Sequence, residues 1–253
     1  MPFVTEKEES HMNALDRNTR TQQKAGGFAA LYLAAAFLIA MPYFLVVVNS
    51  VGVTDPAQKV ALLAANRGSM YAMHLISYVI FGIVLAVLAL ALHSRLRDES
   101  PVTMQVATAV GLIWAFVLVA SGMVYNYGMW TVTTLYGTDR VAAVSAWQAI
   151  EPIAQGLGGA SGELLGGLWV LLVSAVVLRY GALPKALGWL GLGVGVLGIA
   201  SVVPILNDAA IAFGLLEIVW FAWVGVVLVR GARGSVSTQR IAASAALERG
   251  AVV

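Results

Sequence analysis

Three ionisable residues lie inside long apolar runs of this sequence: His74, Glu163 and Glu217. A titratable side chain is costly at membrane depth, so it indicates a functional site by default. Each lies roughly six to ten residues into its run, which is roughly 9–15 Å along a helix. The sequence therefore predicts that the three side chains share one depth, on helices that run in the same direction.

Three side chains that face one another could form a proton relay, a small cation site or a metal site. Catalytic zinc takes three protein ligands and a water, so His74, Glu163 and Glu217 are the candidate ligands of zinc or another divalent metal. Tyr78 joins the candidates because it lies one helical turn from His74 on the same face. The alternative interpretation is structural, since a neutral glutamate can simply hydrogen-bond a neighbouring helix.

Further polar residues near the same ends of the apolar runs are expected to line the mouth of such a site. Among them, Arg67 could pair with Glu163 or Asp208, and the alternative for each is ordinary hydration at the membrane interface. The rim candidates are Asn49, Arg67, Asn126, Glu151 and Asp208.

The composition indicates that lipid surrounds the elements that carry these residues. Of 253 residues, 60% are hydrophobic and 11% are charged, whereas a soluble domain is about 45–50% apolar and about 25% charged. A spanning helix needs about 20 apolar residues. We predict an all-α transmembrane bundle of six spanning helices, over residues 26–48, 69–92, 103–127, 157–178, 186–206 and 209–229.

The remaining segments are expected to lie outside the lipid. Residues 1–24 and 231–253 are predicted cytoplasmic tails around a transmembrane domain of residues 25–230, with translation starting at Met1 or Met12. Residues 128–156 form an outer segment, in which Thr138-Asp139 is expected to cap a short helix over 140–151 that ends before Pro152. Nearby aromatic residues are expected at the membrane surface, namely Tyr125, Tyr127, Trp130, Tyr136 and Trp147.

The basic residues set the predicted orientation. Both tails and the loops near residues 96 and 182 carry 12 of the 15 Lys and Arg residues. Cytoplasmic loops carry this excess, so we expect both termini in the cytoplasm and a multi-pass protein of the bacterial cytoplasmic membrane. The basic residues form no continuous stripe, which argues against nucleic acid as a partner.

Small residues recur at four-residue spacing on two of the predicted helices. This spacing lets helix backbones approach closely, either inside the chain or against a second copy or a membrane-complex partner. The residues are Gly158, Gly162 and Gly166 on the fourth helix, and Gly191 and Gly195 on the fifth.

Several function classes are excluded by what the sequence lacks. It contains no cysteine, which rules out disulfides, thiolate nucleophiles and cysteine-ligated metal centres. It contains no phosphate-binding loop and no HExxH or GxSxG motif. No organic cofactor is predicted.

Three stretches of the sequence resemble a known family. Lys24 to Leu33 (KAGGFAALYL) opens the first predicted helix, Leu183 to Gly191 (LPKALGWLG) opens the fifth, and Leu215 to Trp220 (LLEIVW) lies in the last. Over most of residues 20–232 this layout resembles a widespread bacterial membrane family, the domain of unknown function 4386. The resemblance implies a six-helix bundle and a carboxylate in the last helix, matched here by Glu217. It implies no activity, substrate or catalytic residue.

These observations lead to three hypotheses of function. The leading one is a non-enzymatic membrane protein whose polar site, in the outer half of the bundle, binds or passes a small ligand, cation or proton. The second is an intramembrane metal-dependent enzyme that acts on lipid. The third is a structural or regulatory subunit of a membrane complex, which the glycine-rich helix faces favour.

Overall fold

The computed structural model describes the backbone of residues 6–49, 52–158, 163–206 and 208–250, and the side chains of residues 18–49, 52–158, 163–206 and 208–232. Within these ranges the chain is all-α, as predicted, with eight helices and no strand. The helices are α1 (Glu6–Pro42, extended by a π-helical segment Tyr43–Val47), α2 (Pro56–Ala65), α3 (Arg67–Leu96), α4 (Pro101–Tyr136), α5 (Arg140–Gly158), α6 (Leu164–Tyr180), α7 (Lys185–Ala200) and α8 (Ala209–Gly250).

Four of the described helices are long and apolar enough to cross a membrane. They are the segment Asn18–Val47 of α1, all of α3 and α4, and the segment Ala209–Ala232 of α8. Helices α6 and α7 are equally apolar but shorter, with 17 and 16 residues. At 1.5 Å per residue each is about 25 Å long, slightly less than the hydrocarbon thickness of about 30 Å. The chain is a multi-pass helical membrane protein.

The helices differ from the predicted spans mainly at their ends. Helix α1 begins in the polar tail at Glu6, because nothing in residues 6–24 interrupts a helix once the apolar run has formed one. Helix α5 continues through Pro152 to Gly158 instead of ending before the proline. Helix α6 begins only at Leu164, so the predicted fourth span is interrupted. An apolar run predicts burial in lipid, but it does not reveal where the backbone hydrogen bonding breaks.

The main hydrophobic core lies between α1, α3, α4, α6, α7 and α8, and we call this part the bundle. Close contacts of Gly26 with Ala91 of α3 and Leu228 of α8 fix how α1 sits between those helices. These contacts bring the start of the apolar segment of α1, the end of α3 and residue 230 of α8 to one end. Lys24, Arg95 and Arg230 lie there, and we call it the basic end.

A second, smaller core lies at the opposite end of the molecule. It is formed by residues 43–48 at the end of α1, α2, α5, residues 67–80 of α3 and residues 121–136 of α4, which together we call the cap. Val60, Met129 and Trp147 are buried at its centre. Asp139 caps α5 as predicted, since its Oδ1 accepts a hydrogen bond from the backbone N–H of Ala142 at 2.9 Å.

Helices α5 and α6 follow one another along α4, and both pack against it. Gly158, the last residue of α5, contacts the backbone of Leu118 near the middle of α4. Gly166 in the first turn of α6 contacts Trp114, about one turn further along α4. Glu163, the residue before α6, is not helical, and the predicted packing residue Gly162 lies among residues 159–162, outside the described residues.

The other predicted packing glycines contact neighbours within the chain. A Cβ at Gly195 of α7 would lie 2.8 Å from the carbonyl oxygen of Gly167 on α6. Gly191 faces Ser174 of α6 and Trp220 of α8. The small residues therefore serve helix packing inside the bundle, where backbones approach closely.

Candidate functional site

His74 lies in the cap, where α3 changes from an α-helix to a π-helical segment over Leu75–Ile80. Such π-helical turns shift the register of side chains and are frequent at functional sites. The imidazole is 5% exposed and stacks between Phe44 and Tyr125, with ring centroids 5.6 Å and 4.7 Å away. Tyr78 packs edge-on against the same imidazole at 5.8 Å, so the predicted pairing of the two residues on one helix face is confirmed.

These rings line a cavity of about 410 Å³ that we call the cap cavity. Its polar lining includes two buried groups with no hydrogen-bond partner from the protein, the Nδ1 of His74 and the Nε1 of Trp147. A buried donor or acceptor without a partner costs about 1–3 kcal/mol. Two residues of the aromatic lining therefore carry an unsatisfied polar group.

An ion pair joins α2 to α5 at this cavity. The Lys59 ammonium lies 2.8 Å from both carboxylate oxygens of Glu151, and the two side chains are 29% and 20% exposed. Gln155 donates a longer hydrogen bond of 3.3 Å to the same carboxylate. The charges that line the cap cavity thus already neutralise each other.

Glu163 lies at the interruption between α5 and α6, in the residue before the first turn of α6. Its backbone N–H donates to the Ser201 hydroxyl at 3.0 Å, which ties the interruption to the end of α7. Its side chain lines a second cavity of about 200 Å³, together with Trp114 and Val117 of α4. Gln155 lines both cavities, so they adjoin.

Glu217 lies about two turns into α8 and is completely buried. Neither of its carboxylate oxygens has a hydrogen-bond partner from the protein. The Glu163 carboxylate lies within electrostatic range of Glu217 and also of Tyr78. We call Glu163 and Glu217 the acid pair; within the described residues neither makes a salt bridge.

A row of six aromatic rings crosses the bundle on the basic-end side of the acid pair. Neighbouring ring centroids along this row are between 5.1 and 6.2 Å apart. We call it the aromatic layer, and it consists of Phe37, Phe81, Phe221, Trp220, Trp169 and Trp114. Both acids precede members of the layer on their own helices, Glu217 by three residues and Glu163 by six.

His74 and Glu163, two of the three residues predicted to share one depth, do not do so. His74 is level with Tyr125 of α4, whereas Glu163 borders the same cavity as Val117, roughly 12 Å further along that helix at 1.5 Å per residue. Because α6 starts at Leu164, Glu163 lies before its helix and not several residues inside it. Among the described residues, no group of three His, Asp or Glu side chains is arranged to hold a metal ion.

The five rim candidates do not line a single mouth. Glu151 lines the cap cavity, and Asn126 is buried in α4 with its Oδ1 unpartnered. Arg67 is exposed and forms no ion pair with Glu163 or Asp208. Asp208 is exposed beside Asn207, which lies outside the described residues, and Asn49 is exposed in a left-handed conformation (φ 50°) beyond the end of α1.

Sequence reasoning missed several residues of the cap cavity. Lys59 and Gln155 belong to no recognisable motif, and the sequence does not distinguish Phe44 from the other apolar residues of the first predicted span. Trp147 was expected at the membrane surface but is 3% exposed. Tyr125 is likewise buried, whereas Tyr127 and Trp130 are exposed as expected. The signal that separates Tyr125 from Tyr127 and Trp130 is helical periodicity along α4, which assigns them to different faces.

The sequence matches a family model described as the domain of unknown function DUF4386 over residues 28–230. The chain belongs to the DUF4386 family. The match covers the bundle and the cap, and both the acid pair and the cap cavity fall inside it. No curated protein and no solved structure matches this DUF4386 protein.

Proposed function

We propose that this DUF4386 protein crosses the cytoplasmic membrane six times with both termini inside. Helices α6 and α7 would supply the two crossings beyond the four long helices. The basic end supports this orientation, because cytoplasmic ends of membrane proteins carry the excess of Lys and Arg. The cap would then lie at the outer face.

Within that topology, we propose that the acid pair binds a proton or a small monovalent cation. The observation that carries this proposal is Glu217, a fully buried carboxyl group with no partner from the protein at either oxygen. An ionised carboxylate left unpaired in a low-dielectric interior costs several kcal/mol. A bound proton or cation would remove that cost.

The break between α5 and α6 supports the same proposal. Membrane transporters often place small ions where a spanning helix is broken, because the break exposes backbone groups and helix ends at membrane depth. Glu163 lies at such a break, and the adjoining cavity of about 200 Å³ gives it space for a small ion. The aromatic layer would close the route from this site to the basic end.

The test is the thermal stability of the purified full-length chain in detergent, measured across pH and across sodium, potassium and lithium concentrations. An ion at one hundred times its Kd adds about 2.7 kcal/mol to the free energy of unfolding. For a chain of this size that corresponds to a rise in Tm of about 5–10 °C. The variants are Glu163→Gln, Glu217→Gln and both together, with Glu99→Gln in the exposed loop after α3 as the control.

The expected result is a Tm that depends on pH or on one cation in the wild-type chain and in Glu99→Gln. That dependence should weaken in each single variant of the acid pair and vanish in the double variant. A pH effect without a cation effect would identify the proton as the bound species. The same dependence in all five chains would overturn the proposal.

A further inference from the structure

We propose that the cap cavity is a second site, separate from the acid pair, that binds a neutral planar aromatic carbonyl compound of the quinone class. Its volume of about 410 Å³ lies within the range of about 300–1,000 Å³ typical of small-molecule sites. Its lining includes Lys59 of α2 and Glu151 of α5, and includes neither Glu163 nor Glu217.

The shape of the lining favours a flat molecule. The Phe44, His74 and Tyr125 rings already stack as near-parallel plates, with interplanar angles of 27° and 11°. Tyr78 and Trp147 add two further aromatic faces to the same cavity. Offset stacking between aromatic rings adds to the gain from burying their area, so a planar ring system gains more here than a branched aliphatic chain of equal size.

The charges of the lining favour a neutral molecule. Lys59 and Glu151 are the two charged side chains that line the cap cavity, and they pair with each other at 2.8 Å. A charged ligand would have to break this pair or remain without a counter-charge, and either outcome is costly in a partly buried site. A neutral ligand leaves the pair in place across the gap between α2 and α5.

The unpartnered polar groups define the ligand's functional group. The indole N–H of Trp147 can only donate, so it requires an acceptor. The Nδ1 of His74 has no partner either, and a protonated Nδ1 would donate to a second acceptor. Both side chains are more than nine-tenths buried, at 5% and 3% exposure. A carbonyl oxygen on an aromatic ring system supplies an acceptor in the plane of the ring.

The experiment compares two probes of nearly equal size and shape that differ in their carbonyl groups. Menadione, a methylnaphthoquinone, carries two acceptors, and 2-methylnaphthalene carries none. Binding to the full-length chain in detergent is measured by isothermal titration calorimetry, with protein-free micelles as the blank. We expect saturable binding of menadione that is at least tenfold tighter than that of 2-methylnaphthalene, since two neutral hydrogen bonds each contribute about three- to tenfold.

Variants test whether the preference for menadione over 2-methylnaphthalene arises in this cavity. Trp147→Phe should lower the affinity for menadione about three- to tenfold and leave that for 2-methylnaphthalene nearly unchanged, because it removes the donor and keeps a ring. Trp130→Phe, at an exposed position of α4, is the matched control and should behave as the wild type. The ratio of the affinities for the two probes is measured on folded protein only, so a loss of stability in Trp147→Phe does not change this ratio.

A second variant fills the cavity without touching a buried residue. Val53 lies in the irregular segment before α2, is half-buried and lines the cavity. Val53→Trp should abolish the binding of both probes. The double variant of the acid pair should bind menadione as the wild type does, which separates this site from the proposed ion site. Absence of saturable menadione binding, equal affinity for the two probes, or an unchanged preference in Trp147→Phe would each overturn the inference.

Discussion

The contact between α6 and α7 depends on Gly167 having no side chain, and Gly167→Ala tests this directly. A Cβ at this position would lie 2.7 Å from the Ile199 nitrogen, 2.8 Å from the Gly195 oxygen and 2.9 Å from the Gly198 carbonyl carbon. All three are backbone atoms, so no side-chain rotation can relieve the contact. Gly193 on α7 is the matched control, because a Cβ there meets no atom within 4 Å.

The size of the effect follows from the distance by which the helices must separate. Ordinary van der Waals contact for a Cβ begins at 3.4 Å, so α6 and α7 must move apart by about 0.7 Å at this point. Overpacking of this kind costs about 1–3 kcal/mol. Replacing glycine by alanine also stabilises either helix by up to about 1 kcal/mol, because alanine has the higher helix propensity. The two variants should therefore differ by about 2 kcal/mol in the free energy of unfolding.

The assay is thermal unfolding of the purified variants in the same detergent. A difference of about 2 kcal/mol corresponds to a Tm about 4–8 °C lower for Gly167→Ala than for Gly193→Ala. Gly193→Ala itself should melt at or slightly above the wild-type temperature. Equal Tm values for the two variants would refute the close approach of these helices. A change in oligomeric state in Gly167→Ala alone would show that the glycine face binds another subunit.

Two further predictions concern the contacts that hold the cap together. Ser121→Ala removes the 2.7 Å hydrogen bond from the Ser121 hydroxyl to the carbonyl oxygen of Ala154. It should lower the free energy of unfolding by about 1 kcal/mol, or the Tm by about 2–4 °C. Ser145→Ala on the exposed face of α5 is the control and should leave the Tm unchanged. A double-mutant cycle of Lys59→Met and Glu151→Gln should give a coupling energy of about 1 kcal/mol, and strictly additive single effects would mean that this ion pair does not stabilise the cap.

The sequence alone predicts the class of the fold and several local features, because these depend on short-range patterns. Long apolar runs predict the membrane-spanning helices, and Asp139 predicts the start of α5 through a hydrogen bond to a backbone amide three residues away. The four-residue spacing of His74 and Tyr78 predicts that they share a helix face, and their rings are in contact. Each of these inferences requires only the geometry of a single helix.

The composition of the site could not be predicted, because it depends on how separate helices meet. Lys59 and Glu151 are 92 residues apart and pair only because α2 and α5 cover the same stretch of α4. Glu163 was assigned to the interior of a span, since hydropathy does not distinguish a continuous helix from one interrupted between Gly158 and Leu164. The relative depth of His74 and Glu163 follows from that interruption and was predicted incorrectly for the same reason.

The presence of two cores affects how cooperatively this protein unfolds. The core of the cap is much smaller than that of the bundle, and the two are connected through α1, α3 and α4. Regions with few buried apolar contacts open at lower free energy than the rest of a structure. The cap is therefore a unit that can open while the bundle stays folded, and a ligand held between His74 and Trp147 would raise the free energy of that opening specifically.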